Sequence, residues 1–431
     1  MDRRTFVKWL TAGTAGTLVL GADARAASAP FSAVVVGGGM AGATAAKYLK
    51  MWGGPGVSVT LVDANASYKS CIMSNKVLTG ERTLSSLNFS YATLRRKYGI
   101  RFVNAEVAAI DPVTKSVTCT DRTVLPYDRL ILAPGIAFDY TGIPGMDAAS
   151  QKLIPHAWKA GPQTNQLRSQ LVNMVNGSNF VLTIPKSPYR CPPGPYERAC
   201  VIADWLRVNK PGSKVIVLDG NSPSDPANPL SAIQAEPVNF ANAFTNIHHN
   251  IEYHSGVTIN SVSAAGKHIT TSIGTTNYGV LNLIPPQRAG KLITKSGLGL
   301  ANFNGNWAGV NLRSYESTAV PHIHVIGDSM GSTQPKAGHI GNQEAKICAD
   351  AIIRLQNGLQ PYGLPVTNSA CYTPITSRTA TWLTAVFAFD PVSGTMMVVG
   401  GKATEPVEGP TATSYEQMNK WFRALMADTF A

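Results

Sequence analysis

Three of the six cysteines of this chain lie where chemistry could reach them. Cys71 falls in Tyr68-Lys69-Ser70-Cys71-Ile72-Met73-Ser74-Asn75, and Cys371 in Thr367-Asn368-Ser369-Ala370-Cys371-Tyr372. Cys191 opens the proline-rich stretch Cys191-Pro192-Pro193-Gly194-Pro195-Tyr196-Glu197-Arg198. All three segments read as loops. Cys119, Cys200 and Cys348 instead sit in strand-like or helical runs, where a free cysteine packs as a small apolar residue. A loop thiol can attack, be oxidised or form a disulfide, and sequence alone does not choose the pairing. Arg190 and Arg198 would draw an anion to Cys191 and favour its thiolate. Glu197 has two readings, a general base or a charge at a helix N-terminus.

A second chemistry is phosphate binding. The β-branched run Ser32-Ala33-Val34-Val35-Val36 stops at Gly37-Gly38-Gly39-Met40-Ala41-Gly42 and continues as the helical pattern Ala43 to Leu49. Gly37 permits the turn, Gly39 lets the backbone approach a pyrophosphate, and Gly42 lets helix and strand pack closely. Val57 to Val62 reads as the next strand and ends in Asp63, 21 residues past Gly42, where a carboxylate can hold ribose hydroxyls. Two further strands end in turns: Tyr127 to Leu132 before Ala133-Pro134-Gly135, and His322 to Ile326 before Gly327-Asp328. Both are similar to the recurring segments of two-dinucleotide flavoproteins, which gives Asp328 the flavin ribityl chain. Lys336-Ala337-Gly338-His339 then leads into a helix whose N-terminus would set positive potential at the flavin. The second α/β unit lacks such a turn: Asn179 to Ile184 runs into the proline loop, whose missing amides cannot cradle a pyrophosphate. This argues against NAD(P)H as electron partner.

These sites need a large, ordered scaffold. The chain has 431 residues, 44% of them hydrophobic and 14% charged, which excludes a disordered or coiled-coil protein. Net charge is +12, but the basic residues are scattered and never form a run of five or more, which argues against nucleic acid as partner. Asp2-Arg3-Arg4-Thr5-Phe6 ahead of a modestly apolar stretch and Ala24-Arg25-Ala26 reads as a twin-arginine signal, implying export to the periplasm with a cofactor already loaded. The apolar stretch is too short to anchor in a membrane. The expected fold is α/β, with two Rossmann-like units and a C-terminal α+β interface domain. Its expected divisions are a signal at 1–26, a discontinuous FAD domain at 27–143 and 285–355, an NAD-like domain at 144–284, and an interface domain at 356–431. The histidines lack the carboxylate or cysteine company of a metal site, so no metal is expected. Tyr415 to Met426 reads as an amphipathic helix that caps a domain or faces a subunit, in preference to resting on a membrane.

One combination is more specific. Ser-Cys-Ile-Met-Ser-Asn (70–75), Arg-Cys-Pro-Pro-Gly-Pro-Tyr-Glu-Arg-Ala (190–199), Asn-Leu-Ile-Pro-Pro-Gln-Arg-Ala-Gly (282–290), Gly-Asp-Ser (327–329) and Asp428-Thr429-Phe430 together resemble the flavoprotein subunit of flavocytochrome c sulfide dehydrogenase. That family is related to sulfide:quinone reductases and shares the glutathione-reductase-like fold. The resemblance implies FAD bonded through Cys71, a redox disulfide of Cys191 and Cys371 over the flavin, and Glu197 as base. It places Trp421 near both the flavin and a haem subunit. It also implies sulfide as substrate and a c-type cytochrome as partner, on another chain because no Cys-x-x-Cys-His occurs here. Ile72 and Ser329 stand where the family often carries an aromatic and a cysteine. A sulfide:quinone oxidoreductase and a non-catalytic flavoprotein scaffold are the alternatives.

Overall fold

The computed structural model describes residues 30–431, so the signal read at 1–26 lies outside the described residues. Strand β1 (Phe31–Val36), helix α1 (Met40–Gly53), β2 (Val57–Asp63), β3 (Arg101–Asn104) and β4 (Arg129–Leu132) form the first unit. The second contains β5 (Phe180–Ile184), α2 (Gly194–Asn209), β6 (Val215–Asp219), β7 (Ile251–His254) and β8 (Val280–Leu283). The chain then returns to the first unit with β9 (Ile323–Val325) and α3 (Gly338–Gln356). It ends in β10 (Val366–Pro374), β11 (Ala380–Asp390), β12 (Thr395–Val398) and α4 (Ala412–Phe430).

The first sheet runs β9-β4-β1-β2-β3, all parallel, with two short antiparallel pieces at its edge. The second runs β7-β6-β5-β8, also parallel. Every residue of β4, β5, β6 and β8 is buried, as parallel strands covered on both faces require. Between the units, Ile136–Phe138 pairs antiparallel with Gln287–Ala289, so the two chain crossings lie side by side. Each unit has its own apolar core.

Strands β10 to β12 form an antiparallel sheet that α4 covers. Helix α4 extends beyond the Tyr415 to Met426 read from the sequence, because Thr411 Oγ1 caps it by accepting from the Ser414 N–H at 3.0 Å. It buries Met418, Phe422, Leu425, Met426 and Phe430 within this chain. Its end is clamped to the first unit: Lys47 Nζ donates to the Asp428 and Ala431 carbonyls at 2.9 and 2.7 Å. Tyr48 and Asn342 donate to the Asp428 carboxylate at 2.6 and 2.8 Å. Phe430 stacks on Tyr68 and Phe89 at 5.0 and 5.5 Å. The terminal Asp-Thr-Phe is thus a docking device for the helix. Among the described residues, no helix is long and apolar enough to cross a membrane.

Candidate active site

The glycine turn has the geometry that a dinucleotide needs. Gly37 has φ +103°, and a Cβ there would lie 2.2 Å from the Ala133 carbonyl oxygen. A Cβ on Gly42 would stand 1.8 Å from the Gly37 oxygen, so α1 sits on β1 only because both are glycine. At Gly39 the nearest atom to an added Cβ is 3.9 Å away, which leaves open space beside the uncapped N-terminus of α1. That combination of free amides and room suits a pyrophosphate. Asp63 has a structural duty in addition to the ribose contact expected of it. Its Oδ2 accepts the Gly38 N–H at 2.6 Å and its Oδ1 accepts the Asn65 N–H at 2.6 Å, which ties the turn to the end of β2.

Asp328 lies just past β9 and accepts no hydrogen bond from any described residue. Burial pushes its carboxyl above the ordinary range, while Arg190 and Lys336 pull it back. Lys336 donates to the Met330 carbonyl at 2.6 Å and lies 3.7 Å from the Trp307 ring centroid. Burial lowers it to about 8, against the fields of Asp328 and Glu344. Its own carbonyl accepts the Cys191 N–H at 2.7 Å, which fastens the proline loop to the Asp328 segment. Glu344, unremarked in the sequence reading, accepts the Gly327 N–H at 2.7 Å and is pushed up to about 7 by burial.

Around this space the fold gathers the reactive thiols. Cys71 follows β2, and its Sγ accepts the Ala160 N–H at 3.5 Å. Cys191 closes the turn before α2 with φ +62°, and its carbonyl accepts the Gly194 N–H at 2.9 Å. Cys371 does not lie in the expected loop: it is in the middle of β10, paired with Leu383 of β11. A strand is the better mount, because alternation turns Cys371 and Thr373 to one face and Ala370 and Tyr372 to the other. Cys191 and Cys371 are half-buried free thiols, and the field of Cys371 reaches Cys191. Burial, then Cys371, raises the Cys191 thiol well above its ordinary value, and Arg190 opposes them. Burial and then Glu236 push Cys371 up to about 12.

The two arginines differ from expectation and from each other. The Arg190 guanidinium donates to the Trp158 carbonyl, and the fields of Cys71, Asp328, Tyr68 and Cys191 hold its proton against desolvation. It favours the Cys191 thiolate as expected, but burial outweighs it. Arg198 is 1% exposed and serves the scaffold. Its nitrogens donate to Asn75 Oδ1 (2.8 Å), Asn282 Oδ1 (2.8 Å), His156 O (3.0 Å) and Ala157 O (2.8 Å). Glu197, in the first turn of α2, accepts from Asn75 Nδ2 at 2.8 Å; burial pushes it up to about 7. Its field reaches both thiols. Glu197 thus sits in the first turn of α2, as the helix-terminal reading expects. Trp421 lies on the other face of β10, 5.8 Å from the Tyr372 ring and 6.4 Å from His339, with its buried indole N–H unpartnered. Beside it, Tyr372, Trp382, Thr411, Ser414 and Gln417 line an open cavity of about 640 Å³.

In the second unit, the place of a nucleotide-binding acid is already filled. Asp219, at the end of β6 and 0% exposed, accepts the Tyr196 and Tyr253 hydroxyls on Oδ2, both at 2.8 Å. Its Oδ1 accepts the Asn221 N–H at 2.8 Å. Among the described residues, no cluster of His, Cys, Asp and Glu could hold a metal.

Two parallel α/β units, one with an intact dinucleotide turn, define the pyridine nucleotide-disulphide oxidoreductase fold, and residues 31–178 match the family model of that name. The particular kinship is narrower. Residues 164–285 match the family model of the central part of the sulfide dehydrogenase [flavocytochrome c] flavoprotein chain, so this stretch, which includes Cys191, is similar to that flavoprotein. Among curated proteins, a probable ferredoxin reductase, CtmF, of Castellaniella defragrans is 34% identical over 27% of this chain and 29% of its own length. Ferroptosis suppressor protein 1 of Taeniopygia guttata is 34% identical over 24% of this chain and 26% of its own. The chain therefore spans under a third of these relatives. Among solved structures, the sulfide:quinone oxidoreductase of Aquifex aeolicus superimposes with a TM-score of 0.72 at 16% identity, over 92% of this chain and 91% of the other. A NAD-dependent persulfide reductase of A. fulgidus gives 0.59 at 14% identity, over 92% and 77%. At such identities the likeness is one of fold.

Proposed function

We propose that this chain is the flavoprotein of a periplasmic sulfide dehydrogenase. It would bind FAD along the glycine turn and Asp328, hold it covalently through Cys71, and oxidise sulfide to sulfur or polysulfide at a Cys191–Cys371 disulfide. The single observation that carries this reading is that the Cys191 N–H donates to the Lys336 carbonyl at 2.7 Å, which brings the proline loop to the Asp328 segment, where the fields of Cys71 and Asp328 both reach Arg190. Arg190 draws the HS⁻ anion. Attack opens the S–S bond and leaves a persulfide on one cysteine and a thiolate on the other. In this buried pair a thiolate costs more than in water, which makes it a strong reductant. Glu197, held near neutrality, takes the proton that sulfide loses. FAD, when bound, supplies a two-electron acceptor that can release electrons singly. Those electrons pass to a c-type cytochrome subunit, with Trp421 on the side of β10 away from the cysteines.

Anaerobic sulfide titration of the flavin-loaded protein tests this. Stoichiometric bleaching is expected in the wild type and is expected to vanish in Cys191→Ser and in Cys371→Ser with flavin content unchanged. Full bleaching in both variants would end the disulfide mechanism. Intact mass after denaturation reads the Cys71 bond and the maturation site together, and turnover with cytochrome c or with a quinone separates the dehydrogenase from the quinone reductase.

A further inference from the structure

We propose that Glu236 is the proton relay for Cys371, taking the second of the two protons released when sulfide is oxidised at the cysteine pair. This rests on the sulfide reading above and adds a residue to it. Glu236 is 0% exposed, and its Oε2 is a buried oxygen without a hydrogen-bond partner. Its Oε1 accepts the Thr373 hydroxyl at 2.7 Å, and Thr373 shares the Cys371 face of β10. The backbone is strained as well, with φ +50° at a residue that is not glycine. A buried carboxyl with an idle oxygen on a strained backbone is a cost to the fold, and such costs gather at functional sites.

The Thr373 and Thr381 hydroxyls favour its carboxylate, and the charged groups that act on it are acidic. Glu405 faces it from the loop that caps Pro237–Asn242 through Asn239, and Glu197 faces it from α2. Its own field reaches Cys371 on β10 and Cys200 on α2. Burial and these neighbours push Glu236 up to about 8, so it exchanges its proton near neutrality. The pair is asymmetric: Arg190 acts on Cys191, whereas the groups acting most on Cys371 are Glu236 and Glu197. In this relay the thiolate is on Cys191, next in the chain to the Arg190 cation, and the persulfide is on Cys371, on the strand face that Thr373 shares.

The balance closes with two carboxyls. H₂S gives one proton to Glu197. The resulting HS⁻ attacks the Cys371 sulfur, the Cys191–Cys371 bond breaks, and a Cys371 persulfide and Cys191 thiolate form. The persulfide S–H gives its proton to Glu236 and the sulfane sulfur is released as the pair recloses, the two electrons given up at Cys191 going to the acceptor that bound FAD would supply. Sulfide has then lost two protons and two electrons.

The test is the rate of sulfide-dependent flavin reduction in the flavin-loaded protein between pH 5.5 and 9.5. Glu236→Gln keeps the Thr373 contact; it is expected to slow reduction at neutral pH by about tenfold and to remove the inflection near pH 8, with Glu236→Asp restoring part of both. A Glu236→Gln rate and pH profile matching the wild type would overturn the relay. If Glu236→Gln fails to fold, Thr373→Val decides: loss of the donated hydrogen bond is expected to move the inflection to higher pH, and an unmoved inflection overturns the proposal. Cys191→Ser in the same series separates the two readings, since its retained reduction would sink the disulfide mechanism whatever Glu236 does.

Discussion

The two α/β units share a strand, a turn and a helix, yet their turns have opposite contents. In the first, three glycines leave an uncapped helix end and open space at Gly39. In the second, prolines stiffen the approach to α2, Cys191 takes the left-handed turn position, and Tyr196 and Tyr253 occupy the acid at the end of β6. The contrast teaches that one architecture yields a nucleotide cradle or a thiol mount according to a few residues at the strand end. Free amides invite phosphate; prolines and buried hydroxyls deny it and hold a sulfur in place.

The comparison can be broken most severely at Gly42. Gly42→Ala puts a methyl into the Gly37 carbonyl, with no flexible side chain to yield, and is expected to abolish flavin incorporation, read from the flavin absorbance of the purified protein. In the second unit, Asp219→Ala strands two buried tyrosine hydroxyls and is expected to cost about 3 kcal/mol in denaturant unfolding. It should gain no NADH binding, because the proline loop still lacks donors; measurable NADH affinity would show that Asp219 alone bars the site.

Acid–base behaviour sharpens the picture next. Glu344 in the first unit and Glu236 beside the second are pushed up to about 7 and about 8. Their protons are held more tightly in the fold than in the unfolded chain, so their contribution to stability is full below the ordinary carboxyl value and is lost as the pH rises through these values. Melting temperature is expected to fall from pH 5 to pH 9, and more shallowly in Glu236→Gln; an unchanged slope would place the proton elsewhere. The smallest effect belongs to Gly39→Ala. With no atom nearer than 3.9 Å to the new methyl, stability should hold while flavin incorporation on refolding falls about tenfold. Equal loss of both would mean that the space at Gly39 is not the pyrophosphate's.

Much of the site was legible because its signals are local. A glycine turn between a β-branched run and a helix fixes its own geometry, so Gly37, Gly39, Gly42 and Asp63 could be named from spacing. Three cysteines could be expected inside from the periodicity around them, and Cys119, Cys200 and Cys348 are buried while Cys71, Cys191 and Cys371 are half-buried. Cys371 was misplaced in a loop because Ser, Asn and Thr dominate its neighbourhood, and those residues suit turns as well as a strand buried on one face. Glu236 and Glu344 were passed over for a different reason. An acid before Pro237, or inside a helix, reads as a solvated charge, and nothing in the adjacent residues reveals that distant elements cover it.

The sequence by itself determined the strand–turn–helix units, the nucleotide turn and the absence of such a turn in the second unit, since backbone freedom at Gly and Pro is a property of each residue. Only the tertiary structure decided that Arg198 is a girder while the fields of Cys71 and Cys191 reach Arg190, that tyrosines occupy Asp219, and that Glu236 is bonded to Thr373 on the Cys371 strand. Those outcomes depend on burial and on partners tens to more than a hundred residues away, and a side chain's proton affinity and hydrogen bonds are set by what surrounds it, which only the fold assembles.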